Sequence, residues 1–192
     1  MLPVSDVHLM GSHLLTDVLA AVAVARLAGA GVDAMREAIG SFTGLEHAME
    51  PAGDVSGVRF VNDSKATNID AARCAIDAFA SSEVVIMGGR FKGGDFKDLR
   101  GPLEARAAVV VAIGEAAPLI RSALGDVVRV IDAGSMHDAV RVAFGTSAPG
   151  GVVLLAPACA SFDMFADYAE RGRVFKQEVS RLSEDVRGTR EQ

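Results

Sequence analysis

Tryptophan is absent from this 192-residue sequence, and tyrosine occurs once. Stacking platforms for single-stranded nucleic acid are built from such rings, so that class of partner is disfavoured. Lysine and arginine number 19 against 25 acidic residues, for a formal charge of −6. This balance argues against duplex nucleic acid or an anionic membrane surface as the main partner. There are two cysteines, Cys74 and Cys159, with no CxxC and no nearby histidine pair. A disulfide framework or zinc site is therefore not expected, and a reducing, cytoplasmic setting is. The longest apolar run, Val18–Ala25, is too short for a bilayer. Met1–Met10 has no basic start and carries Asp6 and His8, so no secretory signal is expected. Two motifs are missing as well: G-x-x-x-x-G-K-[ST], and G-x-G-x-x-G opening a βαβ unit. A self-sufficient P-loop ATPase and an ordinary dinucleotide dehydrogenase are thereby disfavoured.

What is present is ordinary globular material, half hydrophobic and 23% charged, enough for one full core and a small appendage. Met1–Met10 reads as an extended lead-in. Leu14–Ala28, rich in Ala, Val and Leu, fits a buried helix, stopped by Gly29 and Gly31. A second helix opens at Val32 or Asp33, with Met35, Ala38 and Ile39 on one face, and ends at Gly40. This pair is too small to bury its own apolar face and must pack against something else. Its apolar face is expected to be exposed, packed onto the αβ domain or paired with another copy, with self-association or high mobility over residues 14–40. Met49–Val55 and Val58–Asn62 form a predicted hairpin around Ser56-Gly57.

Helical and strand patterns then alternate. Strands are predicted at Glu83–Met87, Ala108–Ile113, Val127–Ile131 and Val152–Leu155, and helices at Thr67–Phe79, Phe96–Ala105, Ala116–Leu124 and Met136–Phe144. Phe165–Leu182 reads as a closing helix with Phe165, Tyr168, Phe175, Val179 and Leu182 inward, and Gly188–Gln192 as a frayed tail. Continuous Val/Ile/Leu strands, each followed by a helix, indicate an α/β fold: a Rossmann-like, mostly parallel sheet of about six strands covered on both faces.

In such a sheet ligands bind at the carboxyl ends of the strands. Three strand ends carry unusual residues: Asn62–Asn68, Gly88–Phe96 and Ala156–Asp163. In the first, Ser64, Thr67 and Asn68 are each suited to cap the next helix. A cap requires neither Asp63 nor Lys65, whereas a ribose or phosphate would use both. In the second, glycines allow close backbone approach, and Lys92 among them can reach an anion. In the third, free amides and the Ser161 hydroxyl at a helix start suit a carboxylate. Cys159 reads as a small buried hydrophobe rather than a nucleophile. His8 and His137 read as surface residues. His13 and His47 read as hydrogen-bonding groups, since no carboxylate lies at metal-ligand spacing.

The strings Asn62-Asp63-Ser64-Lys65-Ala66-Thr67-Asn68, Gly88-Gly89 through Lys92-Gly93-Gly94-Asp95-Phe96, and Pro157–Asp163 with Glu170-Arg171-Gly172 downstream closely resemble the carboxy-terminal part of the Mur ligases. The resemblance covers nearly the whole chain. It implies a helical portion of the family's central ATPase domain over 1–44 and the family's third, Rossmann-like domain over 45–192. It implies a role in peptidoglycan synthesis, where ATP drives peptide-bond formation through an acyl phosphate. The branch that the strings resemble most joins D-glutamate to UDP-N-acetylmuramoyl-L-alanine. By resemblance, Lys92, Thr67, Ser161, Phe162 and Tyr168 line the D-glutamate pocket, and Asp63, Lys65, His47 and Asn62 meet ATP. The P-loop and magnesium ligands of the family's central domain are not in this sequence, so the chain by itself is expected to be inactive. Where the family has Gly-x-His-Asn-x-x-Asn, this sequence has Gly11-Ser12-His13-Leu14-Leu15-Thr16-Asp17. Where the family has Gly-Leu-Pro-His-Arg, it has Gly44-Leu45-Glu46-His47-Ala48. The amino-acid side is intact and the nucleotide side eroded, which leaves a non-catalytic binding module as the alternative.

Overall fold

A computed structural model describes residues 3–80, 83–106 and 108–190. Two helices, α1 (Ser12–Leu27) and α2 (Val32–Ser41), come first. They are followed by β1 (Glu50–Val55), β2 (Val58–Asn62), α3 (Ile69–Asp77), β3 (Glu83–Gly88), α4 (Arg100–Ala105) and β4 (Val109–Ile113). The chain closes with α5 (Ala117–Leu124), β5 (Arg129–Asp132), α6 (Met136–Thr146), β6 (Val152–Leu155) and α7 (Tyr168–Arg190).

The six strands lie in one sheet in the order β1-β2-β6-β3-β4-β5. β1 is antiparallel to β2; the other pairs are parallel. β1 carries Pro51 and a register shift between Pro51 and Gly53. An edge strand tolerates both, because its outer side has no ladder bonds to lose. The central strands are buried on both faces, and their side chains alternate. Val85 and Met87 join Ile76, Leu103 and Ile120 in one core. Val84 and Ile86 join Phe60, Val140 and Phe175 in the other. Asn68 caps α3, its side chain accepting from Ala71 N–H, and so takes the role that Ser64 and Thr67 could have filled.

Several expectations are corrected. The lead-in is not wholly extended: Val4–Asp6 forms a 3-10 turn, with residues 1–2 outside the described residues. The segment 96–105 is a 3-10 turn, Phe96–Leu99, followed by α4. The closing helix starts later and runs further than predicted. Tyr168 opens it at the surface rather than inside, and residues 188–190 are helical rather than frayed. The Arg141–Asp185 ion pair and the Thr189 hydroxyl on Asp185 carbonyl hold the helix beyond Leu182. Residues 191–192 lie outside the described residues. The largest correction concerns α1. Its Leu19, Val24 and Leu27 are 69%, 67% and 90% exposed, so the helix is not buried. Among the described residues of this end of the chain, Met10 and Leu14 pack against the core, beside Ala78 and Phe79.

Candidate functional site

Strand order decides which loops meet. β2, β6 and β3 are neighbours and parallel, so Asn62–Asn68, Ala156–Asp163 and Gly88–Phe96 leave the sheet side by side. Their backbones interlock. Gly88 N–H donates to Pro157 carbonyl at 2.9 Å, and Ala158 N–H to Ala66 carbonyl at 2.9 Å. Arg90 and Ala160 exchange both backbone bonds, at 2.8 and 3.0 Å. Gly88 and Gly89, at φ 132° and 127°, are required here. A Cβ on either would collide with a carbonyl oxygen, that of Ile113 or Ala160.

Arg171, at the start of α7, is 1% exposed and joins all three loops. Its Nε donates to Ser64 Oγ at 3.0 Å and its Nη2 to Ser64 carbonyl at 2.9 Å. Nη1 reaches Cys159 carbonyl at 3.1 Å and Gly88 carbonyl at 3.5 Å. Ser64 Oγ in turn donates to Tyr168 carbonyl at 2.7 Å. Burial lowers the Arg171 guanidinium to about 10, which still leaves it charged at neutral pH. Burial pushes the Cys159 thiol up to about 12, so a thiolate is scarce there, as a non-nucleophilic cysteine requires.

Beside this knot the expected nucleotide residues divide into two kinds. Asn62 and His47 are buried at 0% and 3% and engage each other. Asn62 Nδ2 lies 3.0 Å from His47 Nδ1, which makes Nδ1 the acceptor, and 2.9 Å from Glu50 Oε2. A Cβ on Gly172 would collide with the His47 ring, so that glycine sets how closely α7 approaches. Asp63 and Lys65 instead border an open depression with His13, Asn68 and Cys74. Asp63 Oδ1 accepts from Met49 N–H at 3.2 Å, and burial raises its carboxyl to about 6, against the lowering effects of that bond and of Lys65.

The expected amino-acid residues also divide. Lys92 is exposed, its Nζ 3.4 Å from Thr67 Oγ1, so the two loops touch there. Ser161 is buried, and its carbonyl accepts from Met164 and Phe165 N–H. Phe162 projects into solvent at 62% exposure. Tyr168, 41% exposed, meets His47 edge-on with ring centroids 6.2 Å apart. No hydrogen bond joins Lys92 to Ser161, Phe162 or Tyr168 among the described residues.

Carboxylates do approach His47, contrary to the expectation from spacing. Ligand atoms of Glu46, His47 and Glu50 lie within 4.8 Å of one another. The cation already there is Lys176, whose Nζ bonds Glu46 Oε1 at 2.7 Å and Glu50 Oε1 at 2.8 Å. This lowers Glu46 and raises Lys176, so the group is an ion-pair network.

The family described as "Mur ligase, glutamate ligase domain" matches residues 49–159, which hold two of the three loops and the first half of the third. The chain belongs to the Mur ligase family. The protein named UDP-N-acetylmuramoylalanine--D-glutamate ligase from Acidobacterium capsulatum is 48% identical over 178 residues, covering 93% of this chain and 39% of that protein. The protein of the same name from Chlorobaculum parvum is 44% identical, covering 90% and 37%. The chain thus spans about two-fifths of the length of the curated relatives it matches. Among solved structures, the Thermotoga maritima MurF ligase in complex with ADP superposes with a TM-score of 0.65 at 16% identity, covering 94% of this chain and 40% of that one. Mycobacterium tuberculosis folylpolyglutamate synthase complexed with ADP and AMPPCP gives 0.61 at 19% identity, covering 87% and 41%. At those identities the likeness is one of fold. No helix among the described residues is long and apolar enough to cross a membrane.

Two features of this Mur ligase site escaped the sequence reading. Arg171 was visible only as part of a motif string, because its partners lie up to 107 positions away. The turn after β4, Gly114-Glu115, falls between a predicted strand and a predicted helix and is not among the three unusual strand ends, yet it contacts two of the loops. Glu115 N–H donates to Asp163 Oδ2 at 2.9 Å, and Arg90 grips the Glu115 carboxylate with Nε at 3.2 Å and Nη2 at 3.1 Å.

Proposed function

We propose that this chain is the amino-acid-binding, carboxy-terminal portion of a ligase that joins D-glutamate to UDP-N-acetylmuramoyl-L-alanine in the cytoplasm for peptidoglycan synthesis. On this reading residues 1–44 belong to the central ATPase domain and 45–192 form the third domain. The observation that carries it is the interlocked three-loop edge, with Lys92 beside Thr67, in a chain 48% identical to a protein of that name.

D-Glutamate brings two carboxylates and an ammonium. Lys92 pairs with one carboxylate, and Ser161 with neighbouring amides holds the other, while Phe162 and Tyr168 border the aliphatic stem. Charge-assisted hydrogen bonds contribute roughly 1.5–3 kcal/mol each. Immobilising a flexible ligand and desolvating its charges offset most of that. Binding to this chain is therefore about millimolar, or about −4 kcal/mol.

The depression at Asp63 and Lys65 fits the ribose and phosphate edge of ATP. Asp63 accepts from a ribose hydroxyl, Lys65 pairs with phosphate, and Asn62 with His47 hold that loop from behind. When bound, ATP supplies the phosphoryl group that activates the acceptor carboxylate. Magnesium does not fit the Glu46, His47 and Glu50 cluster, where Lys176 already serves as cation, and no step is assigned to it in this chain. With no phosphate-binding loop in the sequence, the isolated chain neither hydrolyses ATP nor forms a peptide bond. ADP release that disappears in Lys65→Ala would contradict this.

Titrating D- and L-glutamate while following backbone amide shifts tests the pocket. The expected result is shifts in Gly88–Asp95 and Ala158–Asp163 with the D enantiomer, lost in Lys92→Ala. Equal responses to both enantiomers, or shifts confined elsewhere, would overturn it. A second reading, a non-catalytic binding module, is favoured by Leu14, Asp17 and Ala48 at positions where the family carries two asparagines and an arginine. Leu14 and Ala48 here border an apolar groove.

A further inference from the structure

We propose that the turn after β4, Gly114-Glu115, is a positioning element of the amino-acid pocket that sets the spacing between the Lys92 loop and the Ser161 loop. The inference rests on the D-glutamate reading for its ligand, but its structural part stands on contacts of its own. Those contacts run in both directions from one short turn. Toward the Ser161 loop, Glu115 N–H donates to Asp163 Oδ2 at 2.9 Å. Toward the Lys92 loop, the Arg90 fork grips the Glu115 carboxylate, and Ala116 N–H donates to Gly89 carbonyl at 3.0 Å. Gly114 lets the two loops approach. It sits at φ 68°, and a Cβ there would collide with Asp163 Oδ2 and come within 3.2 Å of Gly89 Cα. The turn is therefore wedged between the loops that carry the two anion-binding groups.

The charge pattern supports a positioning role over a ligand-binding one. Arg90 holds the Glu115 carboxyl below its usual range, and Glu115 raises the Arg90 guanidinium. The pair neutralises itself, so Glu115 does not repel a dicarboxylate. Arg90 does not compete with Lys92, which makes a long contact to Thr67. A dicarboxylate held at both ends is sensitive to the spacing of those ends. The turn thus bears on ligand length, D-glutamate against the shorter D-aspartate, more than on binding strength as such.

The test uses the 192-residue chain as Arg90→Gln, Glu115→Gln and the charge-swapped double variant Arg90→Glu with Glu115→Arg. In the absence of ligand, amide exchange is read at Arg90, Glu115, Ala116 and Ala160. Each single variant should speed exchange there about two- to fivefold, the scale of an exposed ion pair, while α6 and α7 are unaffected. The double variant should restore it. Binding is then compared for D-glutamate and D-aspartate. The preference for D-glutamate should fall by a similar factor in the single variants and return in the double. Unchanged exchange, or faster exchange that the double variant does not reverse, would overturn the proposal. Faster exchange with an unchanged ligand preference would also overturn it, since the turn would then be structural alone. A wild-type chain indifferent to D-glutamate would sink the substrate reading instead, and the exchange data would then decide the positioning by themselves.

Discussion

α1 and β3 are both rich in apolar residues, yet they end in opposite environments. β3 lies mid-sheet with helices against both faces, and all its residues are buried. α1 is apolar around much of its circumference and leaves Leu19, Val24 and Leu27 in water. A helix with no polar side normally sits inside a larger body. Grooves run along both flanks of the pair, one lined by Val7, Leu9, Val18, Ile39 and Phe42, the other by Val4, Leu15, Leu19 and Val32. Composition therefore fixes how much a segment gains from burial, while the presence of a partner decides whether it is buried. The Rossmann-like domain carries its partners within the chain, and the helical pair does not.

Arg171 offers the sharpest way to break that contrast. If the Rossmann-like domain holds itself together, its polar knot should matter more than any surface on the helical pair. Arg171→Met removes donors from Ser64, Cys159 and Gly88 and leaves buried carbonyls unpaired. The expected loss is about 3–5 kcal/mol in urea unfolding. Arg171→Lys should recover little, because one ammonium cannot reproduce a planar fork. A loss below about 1 kcal/mol for either variant would mean that the three loops hold without it.

A smaller effect comes from a place where burial in the same domain is unfavourable. Glu83 opens β3 at 1% exposure, and neither carboxylate oxygen has a hydrogen-bond partner among the described residues. Burial raises its carboxyl to about 8, more than Arg106 nearby lowers it. The folded value lies above the unfolded one, so the folded state holds the proton more tightly. There is then no penalty below about pH 4.5, a growing one up to pH 8, and the full one above that. Glu83→Gln should stabilise the chain by about 1–3 kcal/mol at pH 8.5 and by almost nothing at pH 4.5. Asp63, raised to about 6, acts in the same direction over a lower window, which the Glu83 variant leaves in place. An equal gain at both pH values would show that Glu83 is not titrating.

The helical pair makes the next test. Its exposed apolar face should drive self-association, and its amides should exchange far faster than those of β3. Leu19→Glu should weaken association by about 1–2 kcal/mol and change the unfolding of the Rossmann-like domain by less than about 0.5 kcal/mol. A monomer whose α1 amides are as protected as those of β3 would erase the contrast.

Much of this architecture is legible in the sequence because it is local. The hairpin at Ser56-Gly57, the period of α3 and the apolar strands each lie within a dozen residues. The three loops are legible because strand ends of a parallel sheet share one edge. Arg171 and Glu115 are not, since their roles consist of bonds to residues far along the chain. The burial expected for α1 failed for a related reason: an apolar run reports a preference, and its fulfilment depends on groups elsewhere. His47 shows the same limit. Its neighbours Glu46 and Glu50 are adjacent in sequence, but the cation between them, Lys176, comes from 130 and 126 positions away.

That lysine makes the finest test of the contrast, because it sits where the two regions join. Leu45–Met49 leads from α2 into β1, and its backbone is tightly turned, with positive φ at His47 and Met49. Lys176 on α7 bonds Glu46 and Glu50 at either end of this stretch and is 28% exposed in its side chain. Each pair is partly open to solvent, so Lys176→Ala should lower global stability by about 0.5–1 kcal/mol, less in high salt. The local effect should be larger than the global one. Amides from Leu45 to Met49 should exchange faster, while those of β3 keep their protection. The Lys65 amide, which donates to His47 carbonyl at 3.0 Å, should follow the turn and not the sheet. If instead β3 and the turn lose protection together, the junction is part of the domain core, and the boundary between the regions lies nearer to α2.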